Sequence, residues 1–80
     1  MHTELTAAET QVKDYRLKLG DEIKLTREQR GYSREQLAEM MEIKPETILK
    51  IESGKFTITV DYLVRFSIIL DHEFRVIEKQ

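Results

Sequence analysis

The stretch Ser33–Gly54, SREQLAEMMEIKPETILKIESG, decides the fold. Ser33 is a suitable N-cap and Gln36, three positions on, completes a capping box, so a helix opens here. Pro45 fits the first position of a second helix, where its missing N–H is no loss. Gly54 fits the left-handed residue that ends this second helix. Leu37, Ala38, Ile43, Ile48 and Ile51 stand where two helices crossing steeply need apolar or small side chains. Ala38 falls at the closest approach, and a larger residue there would push the helices apart. The segment therefore reads as two short helices joined by a tight turn. Its separate signals agree, which a chance match to one motif seldom achieves.

Upstream, Val12, Tyr15, Leu19, Ile23 and Thr26 or Arg27 recur at three- and four-residue steps. That period predicts one long amphipathic helix ending near Arg30, with Gly31 as its stop. Thr6 with Glu9 forms a capping-box start and Thr10 is a second candidate, which leaves residues 1–6 as a flexible N-terminal tail. Gly20 inside this helix weakens it by about 1 kcal/mol relative to alanine, so it marks a place of close packing.

Downstream, Thr59 caps a third apolar region running from Ile58 to Leu70, and Asp61 suits the positive end of its dipole. This helix is apolar nearly all round. Val60, Leu63, Phe66 and Leu70 are assigned to the core, which leaves Tyr62, Ile68 and Ile69 for an interface between subunits. The segment Glu73–Glu78, EFRVIE, is rich in β-formers and reads as a short strand. No other segment offers it a partner, so pairing with its copy in a second subunit would satisfy both, and Phe74, Val76 and Ile77 join the expected dimer interface. A disordered tail and a continued helix are the alternatives. The organisation expected is a tail over 1–6, one helical domain over 7–70, and a dimerisation strand within 71–80.

Eighty residues make one domain with a modest core, too small to support a deep catalytic cleft. There is no cysteine, hence no disulfide framework and no thiolate metal site, and a reducing cytoplasm is the natural compartment. No apolar run is long enough to span a bilayer, and no signal-peptide pattern precedes the domain. His2 and His72 lack metal-ligand companions, and Ser33, Ser53 and Ser67 lack a histidine placed to activate them. No enzyme, cofactor or metal is expected. The net charge of -2 runs against nucleic-acid binding, although the field depends on where the charges sit.

Four pieces of the chain, LGDEIKLTREQRG (19–31), SREQLAEM (33–40), ETILKIESGK (46–55) and VDYLVRFSIIL (60–70), resemble the Cro/phage-repressor (XRE) family of helix-turn-helix DNA-binding proteins. The resemblance implies an all-α, lambda-repressor-like bundle of four to five helices, here with a short C-terminal β-strand. It implies a second helix of the motif lying in the DNA major groove, its N-terminal residues toward base edges. That places Lys44, Pro45, Glu46, Thr47, Leu49 and Lys50 near double-stranded DNA. Lys44 and Lys50 suit guanine acceptors or phosphates, Thr47 a thymine methyl or a phosphate, and Glu46 a cytosine amino group. Leu49 can read only a methyl group. Ser33, Arg34 and Lys55 are the phosphate-positioning candidates. The family also pairs residues matching Arg27 and Glu52 in a largely buried ion pair, a structural role.

The function implied is that of a sequence-specific transcriptional repressor, a homodimer on a palindromic operator. Some antitoxin-type members carry a similar C-terminal strand, and the first helix here is longer than the family needs. One alternative is thus an antitoxin that also binds a toxin protein through that helix or strand. A second is a protein-interaction module that has lost DNA, in keeping with the acidic balance, Glu46 and Leu49. The chain departs from the family pattern in two places, at Glu42 and at Leu25 with Thr26. Glu42 holds a turn position usually given to glycine, where a left-handed backbone would strain it by about 1–2 kcal/mol unless the turn takes another shape. Leu25 and Thr26 stand where a polar and then an apolar residue are usual, so the first helix is slightly rotated or Leu25 faces a partner.

Overall fold

A computed structural model describes residues 2–75, and the side chains of residues 7–75. Four helices follow one another: α1 (His2–Gln29), α2 (Arg34–Met41), α3 (Pro45–Glu52) and α4 (Val60–Leu70). The all-α expectation holds. α1 begins at His2, so Thr6 lies inside the helix and does not start it. At about 1.5 Å per residue, α1 alone accounts for the long dimension of 44 Å. Residues 7–14 are all exposed, so the N-terminal half of α1 projects beyond the bundle.

The expected C-terminal strand is corrected. Among the described residues there is no strand: residues 72–75 have no regular structure, while Val76 and Ile77 lie outside the described residues. The physical reason is a competing use of the side chains. Phe74 turns into the chain's own core at 7% exposure, with the His72 ring tilted against it at 4.6 Å between centroids. His72 Nε2 also lies 2.6 Å from Glu22 Oε2 on α1. Side-chain anchoring to α1 holds this segment where a second strand was expected to do so.

Every helix ends in the same way, on a residue with left-handed backbone. These are Gly31 (φ 76°), Glu42 (φ 59°), Gly54 (φ 74°) and Asp71 (φ 49°). In each case the next N–H reaches back five residues: Tyr32 to the Arg27 carbonyl (3.1 Å), Ile43 to Ala38 (2.9 Å), Lys55 to Lys50 (2.9 Å) and His72 to Ser67 (3.1 Å). This Schellman arrangement occupies carbonyls that a helix end otherwise leaves open. At the other ends, Ser33 and Gln36 form the expected capping box, and the Thr59 hydroxyl accepts from the Tyr62 N–H at 3.2 Å.

The core is built from Ile23 of α1, Leu37, Ala38 and Met41 of α2, Ile48 and Ile51 of α3, Phe66 and Leu70 of α4, and Phe74. Gly20 explains how closely α1 and α3 meet. A Cβ there would fall within contact distance of the Ile51 carbonyl oxygen and 2.8 Å from that of Glu52. The rotation of α4 differs from the expected one. Phe66 and Leu70 point inward as foreseen, and Leu63 is half-buried against the core, but Val60 is 74% exposed. Tyr62 and Ile69, reserved for a partner, also pack against the core instead. Tyr62 stacks on Phe56 with ring centroids 5.8 Å apart.

Candidate nucleic-acid interface

The helix-turn-helix consists of α2, the turn Glu42–Lys44, and α3. The turn is shaped by Glu42, whose left-handed conformation (φ 59°, ψ 43°) lets the chain reverse where the family pattern has glycine. Ile43 then tucks partly under the core, and Lys44 enters α3 in an extended conformation (φ −80°, ψ 147°). No side chain caps α3, and Pro45 at its first position has no N–H to satisfy. The first turn of α3 is thus open to solvent at its positive end, where anions are favoured.

Two faces divide α3. Ile48, Ile51 and Glu52 are buried, whereas Lys44, Pro45, Glu46, Leu49 and Lys50 are exposed and Thr47 is half-buried at the boundary. Leu49, with 48% of its surface accessible, is an apolar residue on an otherwise polar outer face. Lys55 is exposed just beyond the end of α3, and Ser33 and Arg34 stand at the start of α2. Arg34 Nε donates to Glu52 Oε1 at 2.9 Å, which places the opening of α2 beside the close of α3. The candidate residues thus lie at both ends of α3: Lys44, Glu46 and Thr47 at one, Arg34 and Lys55 at the other. Among the described residues, no side-chain hydrogen bond or ion pair engages the ammonium group of Lys44, Lys50 or Lys55. Their ammonium groups are available to an external anion.

Ser33 and Arg34 have duties the sequence only partly revealed. The Ser33 hydroxyl accepts from the Gln36 N–H at 3.0 Å, and the Ser33 N–H donates to Gln36 Oε1 at 2.8 Å, so Ser33 is first of all a cap. Arg34 completes a triad. Arg27 Nε donates to Glu52 Oε2 at 2.6 Å and Arg27 Nη2 to Oε1 at 3.3 Å, while Arg27 Nη1 donates to the Tyr32 carbonyl at 2.8 Å. Glu52 therefore binds two guanidinium groups, and with Arg27 it is almost wholly buried. The Arg27–Glu52 pair expected from the resemblance is present; the third member was not foreseen. Its only sequence signal is that an arginine replaces the residue usual at the opening of α2.

Arg30 is another tether the sequence did not single out. Its Nε donates to the Leu70 carbonyl at 2.8 Å and its Nη2 to that of Asp71 at 2.9 Å, holding the end of α4 against the end of α1. Leu25 is 57% exposed and faces away from the core, and Thr26 is buried with its hydroxyl donating to the Glu22 carbonyl at 2.7 Å. Of the residues assigned to a dimer surface, Ile68 is 74% exposed, whereas Tyr62, Ile69 and Phe74 serve the intramolecular core. Among the described residues no cluster of His, Cys, Asp or Glu is placed to hold a metal, and no helix is long and apolar enough to cross a membrane.

This is the geometry of a helix-turn-helix domain. A helix-turn-helix family model matches residues 23–74, well over half of the chain, and the protein belongs to the Cro/C1-type (XRE) helix-turn-helix family of DNA-binding transcription regulators. No curated protein and no solved structure matches it. The match begins at Ile23, so the projecting half of α1 lies outside the family segment.

Proposed function

We propose that the protein is a transcriptional repressor that binds a palindromic operator as a homodimer, with residues 7–70 as its DNA-binding unit. Each subunit sets the first turn of α3 in the major groove of one half-site, and the two half-sites lie about 34 Å apart, one helical turn. The observation that carries this reading is the division of α3. Its inner face is locked to the core by Ile48, Ile51 and Glu52, while Lys44, Pro45, Glu46 and Lys50 stand exposed on a rigid support. Lys44 and Lys50 take guanine acceptors or phosphates, Thr47 a thymine methyl or a phosphate, Ser33, Arg34 and Lys55 position the phosphate backbone, and Glu46 and Leu49 restrict which bases are accepted. Three unpaired lysines on this face offset the acidity of the chain as a whole.

Random-site selection followed by titration of the selected duplex tests the proposal. Affinity is expected to fall steeply with salt, and each of Lys44→Ala, Lys50→Ala and Lys55→Ala to lower the log–log salt slope by about 1. Lys50→Glu is expected to abolish binding. Absence of any selected site at low salt overturns the repressor role.

The projecting half of α1 supports a second reading, in which the same domain is an antitoxin. Residues 7–14 are exposed along a helix that the bundle does not need, a surface suited to a toxin protein. Co-purification of a partner from the native host, lost on deleting residues 2–14, would favour this version.

A further inference from the structure

The outward face of α4 carries a row of aliphatic side chains that the fold does not use. Val60, Val64 and Ile68 are spaced by four residues, so they lie one above another on a single face. They are 74%, 50% and 74% exposed. Beside Ile68, Met40 and Arg65 border a hollow of about 140 Å³ where α2 meets α4. Asp61 and Arg65 are exposed one turn apart along one edge of the row. Among the described residues neither makes an ion pair within 4.0 Å, although an acidic residue four before a basic one commonly does so on a helix.

We propose that this row is the seam on which two copies of the chain pair, α4 against α4, antiparallel about a two-fold axis at Val64. The proposal rests on the homodimeric reading and supplies its contact. Three features point to a second copy. An isologous interface must be self-complementary, and an antiparallel register centred on Val64 sets Val60 of each copy opposite the partner's Ile68. The hollow beside Ile68 is there to receive that valine. The same register runs Asp61 of each copy along the edge occupied by the partner's Arg65, giving two symmetric opposite-charge contacts. A parallel two-fold pairing would instead carry this edge to the opposite side of the seam in the partner, separating Asp61 from the partner's Arg65 and losing both contacts. The seam uses no residue of α3 and leaves the candidate DNA face uncovered. Three aliphatic residues and their rim are well short of the roughly 800 Å² per partner of a standard interface. Pairing in free solution is therefore concentration-dependent, and a duplex carrying two half-sites strengthens it by raising the effective concentration.

Sedimentation of the full chain without DNA reads the seam directly. The wild type should show a monomer–dimer equilibrium. Val64→Asp places two carboxylates face to face on the axis and should be monomeric at every concentration, with an unchanged circular-dichroism melt; Ile68→Lys is the replacement should Val64→Asp fail to fold. Asp61→Arg sets like charges together and should weaken pairing by about tenfold, and Asp61→Arg/Arg65→Asp should restore it. A wild type that stays monomeric to its solubility limit, a dimeric Val64→Asp, or a double swap no better than the single one each overturns the seam. Titration of a single half-site separates this from the functional reading. A folded, monomeric Val64→Asp chain that binds the half-site in a Lys50-dependent way supports both. A dimeric Val64→Asp that still binds removes the seam alone, and a wild-type dimer that binds no DNA removes the repressor reading alone.

Discussion

Arg27→Met should be among the most costly single substitutions in this protein. It removes the 2.6 Å and 3.3 Å bonds to Glu52 and the 2.8 Å bond to the Tyr32 carbonyl, leaving the Glu52 carboxylate buried with only Arg34 to neutralise it. Taking one partner from a buried pair costs about 3–5 kcal/mol, because the remaining charge stays out of water. A chain of 80 residues has a total stability of about 4–12 kcal/mol, so the substitution removes a quarter or more of it. Arg34→Met is the internal control. The Arg34 side chain is 37% exposed, so water screens its bond to Glu52, and its loss should cost no more than about 1 kcal/mol. Arg27→Met/Glu52→Met should recover most of the loss, since a well-packed apolar pair replaces a buried ionic one at little cost. Urea unfolding with a shifted midpoint and an unchanged slope is the measure. Equal losses for Arg27→Met and Arg34→Met, or a loss below about 1 kcal/mol for Arg27→Met, would refute the claim that burial makes Glu52 depend on Arg27.

The helix ends supply two more predictions. Glu42→Gly relieves a left-handed glutamate (φ 59°) strained by about 1–2 kcal/mol and gives back about 0.5–1 kcal/mol in chain entropy, for a net gain near 0.5–1 kcal/mol. That should raise the melting temperature by about 2–8 °C, and an unchanged or lower value would mean that the turn is not held in this shape. Gly31 and Gly54 have nearly the same backbone (φ 76° and 74°) in different surroundings: a Cβ on Gly31 meets nothing within 4 Å, whereas one on Gly54 falls 2.8 Å from Leu17 Cδ2 and 3.2 Å from Leu17 Cα. Gly31→Ala should cost about 1 kcal/mol from conformation alone and Gly54→Ala clearly more, so equal thermal shifts would rule out the close approach of α1 to the end of α3.

Much of the motif was legible because its signals are local. Ser33 with Gln36, Pro45, Gly54 and Thr59 each act within a few residues, and capping chemistry at that range needs no knowledge of the fold. The depth of Gly20 was legible for a related reason, since a glycine inside a helical pattern needs a cause and close packing is the usual one. The candidate face was read equally locally, as the polar remainder of a helix whose apolar side is fixed. What escaped was set by distance along the chain. Arg34 finds Glu52 across 18 residues, Arg30 finds Leu70 across 40, and His72 finds Glu22 across 50. No periodicity in the sequence encodes those meetings.

The misassignment on α4 has a sharper cause. A helix apolar nearly all round has no polar face to fix its rotation, so pattern alone cannot separate Val60 from Tyr62 or Ile68 from Ile69. The ends decide it. The Arg30 guanidinium grips the Leu70 and Asp71 carbonyls at the close of α4, and Phe56 stacks on Tyr62 near its opening. With both ends pinned, Phe66 and Leu70 must face inward, and Phe74 follows them into the core. Val60, Val64 and Ile68 are then turned outward by the same rotation that satisfies the interior. The residues a sequence reading would leave for a partner are thus not the most weakly apolar ones but those opposite the tethers, and this rotation moves the surface available for self-association from Tyr62 and Ile69 to the face opposite.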